Sequence, residues 1–238
     1  MQNKFLLLCA LCGIAITDSY PWERAMADHA SMIAMLVPIP PTSFTPFSDG
    51  KDSILMNDMS YRILDTNYVI VVPAGFVTDF ASTPRALWAV LPPNGTYQRA
   101  AVVHDYLYWN QSCTRDEADM ILRLAMYESD VLPAAREIIY QAVLHFGSVA
   151  WNENARERAS KLPRFVPLDE LPYYSLTSSP PATDPLFITA LDTWDTYRIR
   201  LKNAGVPIDP ALTPRPAYCA AAPKLWKEIE EKEKQDTP

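Results

Sequence analysis

The sequence predicts an α+β fold, with a mainly helical domain, a small β-hairpin and a proline-rich extension. Two runs of β-branched and aromatic residues on either side of residues 66–67 predict the hairpin. A capping box at Thr114 and Glu117, followed by apolar residues at helical spacing, predicts the helical part. Repeated prolines over residues 163–216 predict sparse regular structure there. A chain of 238 residues has room for one such domain with an extension.

Residues 1–27 have the pattern of a signal peptide. Lys4 precedes an apolar run over residues 5–16, and the small residues around 25–27 suit signal peptidase. We therefore expect a secreted or periplasmic protein, whereas a translation start at Met26 would leave it cytoplasmic or virion-associated. The apolar run is short for a bilayer, so no transmembrane anchor is expected.

Charge and composition exclude several classes of function. The formal charge is −7 and the isoelectric point about 5.0, so we expect no nucleic-acid partner, because phosphates need a cationic face. The 6 glycines leave no phosphate-cradling loop, and 3 histidines cannot build a multi-histidine metal centre. The oligomeric state is left open.

Beyond the signal segment, the chain divides into three parts. Residues 28–52 carry repeated prolines and predict an extended lead-in. Residues 53–160 form the predicted core domain. Residues 161–238 form the extension, with a helix expected within residues 185–203 and a charged helix or solvated tail over residues 224–234.

The core domain is predicted to hold short strands followed by helices. Strands are expected at residues 61–65, 68–72 and 76–80, and helices at residues 86–91, 97–109, from 114 onward and 133–151. The last helix should bury a stripe made of Ile138, Ile139, Ala142, Val143 and Phe146. Cys113 and Cys219 would form a disulfide in an exported chain or stay two unrelated thiols.

One predicted helix places a histidine and a carboxylate side by side on an otherwise apolar run. His104 and Tyr108 lie one turn apart on the same face, and Asp105 points in a neighbouring direction. A histidine acts as a general base when a carboxylate fixes its tautomer, and Asp119 on the next helix is the candidate. Asp105, Asp79 and backbone carbonyls would form an oxygen shell for calcium beside that base.

The pattern aromatic-x-x-Ala-x-x-x-His-Asp-x-x-Tyr-x-Asn is spelled by Tyr97, Ala100, His104, Asp105, Tyr108 and Asn110. This pattern resembles the active-site helix of secreted bacterial phospholipases A2. The resemblance implies that His104 activates water, that Asp119 orients it and that Tyr108 supports the network. It implies calcium binding by Asp105. Ala101 stands where those enzymes have a helix-bridging cysteine, and no convincing calcium loop is present apart from the neighbourhood of Asp79.

A longer pattern comprises residues 75–85, Leu91-Pro-Pro, residues 99–108 and Arg115-x-x-x-Asp119. It resembles a family of uncharacterised proteins common in bacteriophage and prophage genomes, with the signature Gly-Phe-x-Thr-Asp-x-Ala-Ser-x-Pro followed by His-Asp-Tyr-Leu-Tyr. The resemblance extends over roughly residues 53–150 and implies kinship without an activity. Both resemblances meet on Asp79, His104, Asp105 and Asp119.

The same residues also permit structural explanations. Asp79 suits a turn or a helix cap, and Asp119 suits an ion pair with an arginine of its own helix. His104 and Asp105 suit an internal hydrogen-bonded pair that fixes helix packing.

The expected function is a calcium-assisted hydrolase acting on an ester bond of a lipid or cell-envelope component, with contact to a membrane surface. Its catalytic residues would be His104, Asp119 and Tyr108, and its metal ligands Asp79 and Asp105. A non-enzymatic phage structural or assembly protein and an exported peptidoglycan-directed toxin or lysis hydrolase are the alternatives.

The three functions differ in what should surround His104. A lipid enzyme should have an apolar collar there, for which the candidates are Phe76, Phe80, Leu87 and Trp88. A structural protein should seal His104 inside, and a peptidoglycan enzyme should present an open polar groove.

Overall fold

The computed structural model describes residues 42–80, 97–168, 186–206 and 214–235. The predicted signal peptide, most of the predicted lead-in, the helix predicted at 86–91 and the collar candidates Leu87 and Trp88 lie outside the described residues. The described part contains five helices and two small antiparallel sheets, which confirms the α+β class and its mainly helical character.

Two small sheets precede the helices. β1 (Phe44–Pro46), β2 (Ser53–Leu55) and β5 (Val77–Thr78) form one sheet in the order β1-β2-β5. β3 (Met59–Arg62) and β4 (Val69–Val72) form the second, with Met59 opposite Val72. The predicted hairpin is therefore present.

The strands differ from the predicted ones at their ends. β3 ends before Leu64, because that residue has a φ of 49°, in the left-handed region that breaks an extended strand. β1 lies in the segment that we predicted as an extended lead-in, where Thr45 pairs with Ile54. A strand as short as β1 shows little of the apolar–polar alternation by which a strand is predicted, and its partner β2 lies in the core domain.

The helices are α1 (Tyr97–Asn110), α2 (Arg115–Glu128), α3 (Pro133–Ala159), α4 (Trp194–Asn203) and α5 (Ala217–Gln235). The capping box that begins α2 is present: Thr114 accepts a hydrogen bond from Glu117 N, and the Glu117 carboxylate accepts one from Thr114 N. α1, α2 and α3 pack on one another, and α5 packs on α2. His104, Tyr108 and Asp119 lie between the first three of these helices.

The predicted buried stripe of α3 is partly wrong. Ile139 is buried, but Ile138 is 50% exposed and Phe146 is 72% exposed. Ala142 and Val143 are half-buried. The helical period correctly placed these residues on one side, but that side borders a cavity and solvent rather than the core.

The C-terminal helix is anchored to the rest of the fold. α5 begins before the predicted charged segment and buries Cys219, Ala222, Trp226 and Ile229. Cys113, in the turn between α1 and α2, forms a disulfide with Cys219. No helix among the described residues combines the length and the apolar character that a bilayer crossing requires.

Candidate functional site

A buried hydrogen-bonded network joins three of the predicted site residues. His104 Nε2 lies 2.9 Å from Asp119 Oδ1, and the Tyr108 hydroxyl donates to the same oxygen at 2.6 Å. His104 is 3% exposed and Asp119 is fully buried. α1 supplies the histidine and the tyrosine one turn apart, and the capped first turns of α2 supply the aspartate. The sequence spacing therefore predicted a contact that the fold makes.

Arg115 completes this network from the same helix as Asp119. Its Nη1 donates to Asp119 Oδ2 at 3.2 Å and to the carbonyl oxygens of Val143 and Leu144 at 3.2 and 3.1 Å. Both oxygens of the buried carboxylate thus have hydrogen-bond donors, which a buried charge requires. We call His104, Tyr108, Arg115 and Asp119 the His104 network.

The network leaves one nitrogen of His104 available. Because Asp119 accepts hydrogen bonds from Tyr108 and Arg115, the imidazole is best satisfied as a further donor through Nε2. In that tautomer the lone pair is on Nδ1. Within the described part of the chain, Nδ1 has no hydrogen-bond partner and is not a fully buried atom. His104 also lines the cavity, so the fold fixes one ring nitrogen and leaves the other without a partner among the described residues.

Tyr108 is held as a donor by its surroundings. Burial, followed by the charge of Asp119, raises the pKa of Tyr108 well above its ordinary value, so the hydroxyl keeps its proton. Its ring lies 4.0 Å from the His104 ring, centroid to centroid. The structure therefore gives Tyr108 the supporting contact that the resemblance implied.

A mid-helix glycine of α3 permits this arrangement. A Cβ at Gly147 would lie 2.3 Å from the Tyr108 hydroxyl and 3.3 Å from its Cζ. Real Cβ atoms do not approach so closely, so a larger residue would displace either the tyrosine or the helix. Gly147 thus lets α3 lie directly against the His104 network, at the usual cost of glycine within a helix.

The two predicted metal ligands border the same cavity from another side. The Thr78 hydroxyl donates to Asp105 Oδ2 at 2.5 Å. Asp79 Oδ1 lies 4.0 Å from Arg164 Nη2, and the Arg164 Nε donates to the carbonyl of Val77 at 2.8 Å. Asp105 and Asp79 therefore meet polar groups of β5 and of the segment after α3.

Gly75 holds that segment in place. Its φ is +85°, and a Cβ there would lie 2.2 Å from the carbonyl oxygen of Val166. Val166 N donates to Gly75 O at 2.8 Å, and Val77 N donates to Arg164 O at 2.9 Å. These backbone contacts bring Arg164 to the edge of the site, which no sequence signal predicted.

The surroundings of Asp79 and Asp105 differ from those of a typical calcium site. Calcium takes 6–8 oxygen ligands, and a guanidinium next to one carboxylate opposes a second cation. Within the described ranges, the side chains that meet in a group of three are those of Cys113, Glu117 and Cys219, two of which form the disulfide. The described residues thus fit a calcium ion poorly.

The cavity has a volume of about 470 Å³ and runs along α3. Its wall is apolar where α3 passes the His104 network and acidic towards the end of that helix. The apolar wall contains Tyr97, Ile139, Ala142, Val143, Phe146, Val149 and Ala150. The charged part of the lining contains Asp79, Asp105, Glu153, Glu157 and Arg164. A base beside an apolar wall suits an ester with an apolar acyl group.

Neither of the two collar candidates that the structure describes lines the cavity. Phe76 is fully buried in the core, and Phe80 packs against Phe44 with ring centroids 5.1 Å apart. Phe146 and Val149 of α3 border the cavity instead. Sequence reasoning missed them because their helical spacing is also that of a core stripe. The position of Arg115 four residues before Asp119 predicts their ion pair, which is present, but gives no sign that Arg115 also reaches the backbone of α3.

Part of the chain is similar to a known protein family. No curated protein and no solved structure matches the chain. Residues 54–143 match the model of a family described as a protein of unknown function, DUF1353, and all four residues of the His104 network lie within that region.

Proposed function

We propose that this protein is a His/Asp-dependent hydrolase that cleaves an ester bond of a lipid or cell-envelope component. The observation that carries the proposal is the orientation of His104, whose Nε2 is held by the buried Asp119 while the ring lines a cavity with an apolar wall. A fixed tautomer with the second nitrogen at a cavity is what a general base needs.

The proposed reaction uses water as the nucleophile. His104 Nδ1 takes a proton from a water molecule while the water oxygen attacks the acyl carbon. Asp119 stabilises the imidazolium that forms, and Tyr108 and Arg115 hold that carboxylate in place. The intermediate then collapses, the ester carbon–oxygen bond breaks, and the imidazolium returns the proton to the leaving alcohol. Arg164 lines the cavity and supplies positive charge near the developing oxyanion.

Calcium enters the proposal only as a secondary element. Asp79 and Asp105 are the carboxylates that would hold such an ion, which would polarise the ester carbonyl. The poor fit of the described residues means that no step above depends on it. Activity measured with EDTA and with added calcium tests this element separately from the role of His104.

Export is a further element of the proposal. The Cys113–Cys219 disulfide supports it, because such bonds persist in oxidising compartments and are rare in the cytosol. Kinship with phage and prophage proteins is also kept as a proposal, since residues 54–143 match a family without a known activity.

A non-enzymatic structural role is the second candidate. This role is favoured because the His104 network connects three helices. Arg115 of α2 donates to backbone carbonyls of α3, and Asp119 of α2 contacts His104 of α1. Such a network would also lock helix packing. A phage structural or assembly protein would need the fixed helix packing that this network provides and no hydrolytic activity.

The first experiment compares wild type and His104→Asn on short-chain p-nitrophenyl esters and on phospholipid. We expect hydrolysis to fall by about 10²-fold or more, because the base is removed. The melting temperature should change little, since asparagine keeps much of the size and polarity. A variant that loses stability, together with a wild type that cleaves neither substrate, would favour the structural role instead.

A further inference from the structure

The middle of α3 exposes large apolar side chains. Phe146 is 72% exposed, Val149 71% and Ile138 50%. Phe146 and Val149 are three residues apart and Ile138 is eight residues before Phe146, which places all three along one side of the helix. We call these three residues the apolar lip. Because exposed apolar side chains cost free energy in water, a grouped set of them marks a contact surface.

The apolar lip is continuous with the candidate site. Phe146 and Val149 also line the cavity that contains His104. Gly147 lies between them in sequence and faces Tyr108. An apolar chain that enters the cavity from this side therefore passes the lip before it reaches the histidine.

The charge of this surface limits what it can contact. Residues 138–152 of α3 include no Asp, Glu, Lys or Arg, and the whole chain has a formal charge of −7. Peripheral proteins that bind anionic lipid use clusters of Lys and Arg next to their apolar side chains. This face has none, so an anionic bilayer would repel the protein without a local compensating attraction.

We propose that the apolar lip inserts into an electroneutral lipid surface and admits an acyl chain to the cavity beside His104. This inference deepens the proposed function and rests on it for the fate of the chain. The partner is a zwitterionic bilayer such as phosphatidylcholine, and the interaction is hydrophobic. A second copy of the chain is the competing occupant that the experiment must separate.

The experiment measures binding of the full chain to sedimenting vesicles of phosphatidylcholine, with and without anionic phosphatidylglycerol. The variant is Phe146→Ser with Val149→Ser, and the matched control is Leu191→Ser, because Leu191 is 87% exposed and lies outside the cavity lining. We expect wild type and control to bind phosphatidylcholine, and the double variant to bind about tenfold more weakly or worse. Added phosphatidylglycerol should weaken binding.

Several outcomes would overturn the lip proposal. These are no binding by wild type, equal loss in the Leu191 control, or binding that requires anionic lipid and is reversed by salt. A wild-type dimer that Phe146→Ser converts to a monomer in light scattering would assign the surface to a second copy.

Hydrolysis of a short-chain ester below its micellar concentration separates this proposal from the proposed function. If His104→Asn binds vesicles like wild type and neither cleaves any ester, the lip stands and the hydrolase fails. If wild type cleaves the soluble ester without binding vesicles, the hydrolase stands and the lip fails.

Discussion

Two arginine–carboxylate clusters among the described residues lie where helices pack, and they differ in what their carboxylates contact. One is the His104 network. The other is a cluster on α2, α3 and α5 that we call the Trp226 clamp, made of Arg123, Arg136, Trp226, Glu230 and Glu233. In the clamp, the guanidinium carbon of Arg123 lies 4.0 Å from the Trp226 ring centroid, and Arg136 Nη2 lies 2.7 Å from Glu233 Oε1. In the network, the carboxylate is fully buried.

The two clusters differ in which polar groups can still form a hydrogen bond with something outside the cluster. In the clamp, the glutamates reach solvent, so water completes their hydrogen bonds, and each arginine contacts both a carboxylate and an aromatic face. In the network, every oxygen of Asp119 is used inside the protein while His104 borders a cavity. A clamp of this kind stabilises the packing of α5. Under the proposed function, the network instead positions His104 as a base, and the bonding that remains at its ring is what distinguishes the two clusters.

The largest expected effect comes from removing one carboxylate charge at each place. Asp119→Asn should lower hydrolysis by about 10²- to 10⁴-fold, because His104 loses the group that fixes its tautomer. It should also lower the free energy of unfolding by about 3 kcal/mol or more, since Arg115 loses its buried ionic partner. The matched change Glu230→Gln should lower that free energy by about 1 kcal/mol or less. Urea unfolding and ester hydrolysis provide the two measurements.

Equal stability losses in Asp119→Asn and Glu230→Gln would contradict the distinction between a buried network and a solvated clamp. Full hydrolysis in Asp119→Asn would remove the aspartate from the mechanism.

A smaller effect is expected at Gly147, where α3 meets the network. Gly147→Ala places a methyl group against the Tyr108 hydroxyl, so we expect hydrolysis to fall by about tenfold and stability to fall by about 1–2 kcal/mol. Tyr108→Phe removes the atom that lies 2.3 Å from that methyl group. The combined variant should therefore recover part of the stability lost in Gly147→Ala, which a double-mutant cycle measures. Ser148→Ala, on the exposed neighbour, is the control.

Additive stability losses at Gly147 and Tyr108 would show that the close contact does not constrain the network. A Gly147→Ala protein that is more stable than wild type would show that helix propensity outweighs the contact at this position.

The sequence predicted local structure better than it predicted surroundings. Thr114 and Glu117 fixed the start of α2 through a reciprocal hydrogen bond, which depends on neighbours in the chain alone. Asp119 was placed next to His104 by a resemblance and by spacing, and the fold brings them together. Phe146 was wrongly predicted as buried, because helical spacing identifies a face without showing what covers it. The position of Arg164 depends on a return of the chain to β5, which has no local signature.

The smallest effect concerns Asp52. Its carboxylate is partly buried, but it does not belong to a hydrogen-bonded network like that of Asp119. Burial raises its pKa to about 6, Arg164 lowers it through its charge, and Asp79 raises it. The folded protein then holds a proton that the unfolded chain releases between about pH 4 and pH 6. Stability should therefore fall as pH rises through that window and stay level above it.

Asp52→Asn should reduce this slope and raise the free energy of unfolding at pH 7 by less than about 1 kcal/mol, since solvent reaches part of the side chain. The pKa of Glu128 is also raised by burial, so part of the slope should remain. Urea unfolding at a series of pH values measures the slope, with the exposed Asp49→Asn as the control. If the slope is unchanged in Asp52→Asn, other carboxyl groups cause it. If it is reduced, Asp52 shows that an arginine near a half-buried carboxylate does not by itself keep it ionised, whereas Asp119 has direct donors on both oxygens.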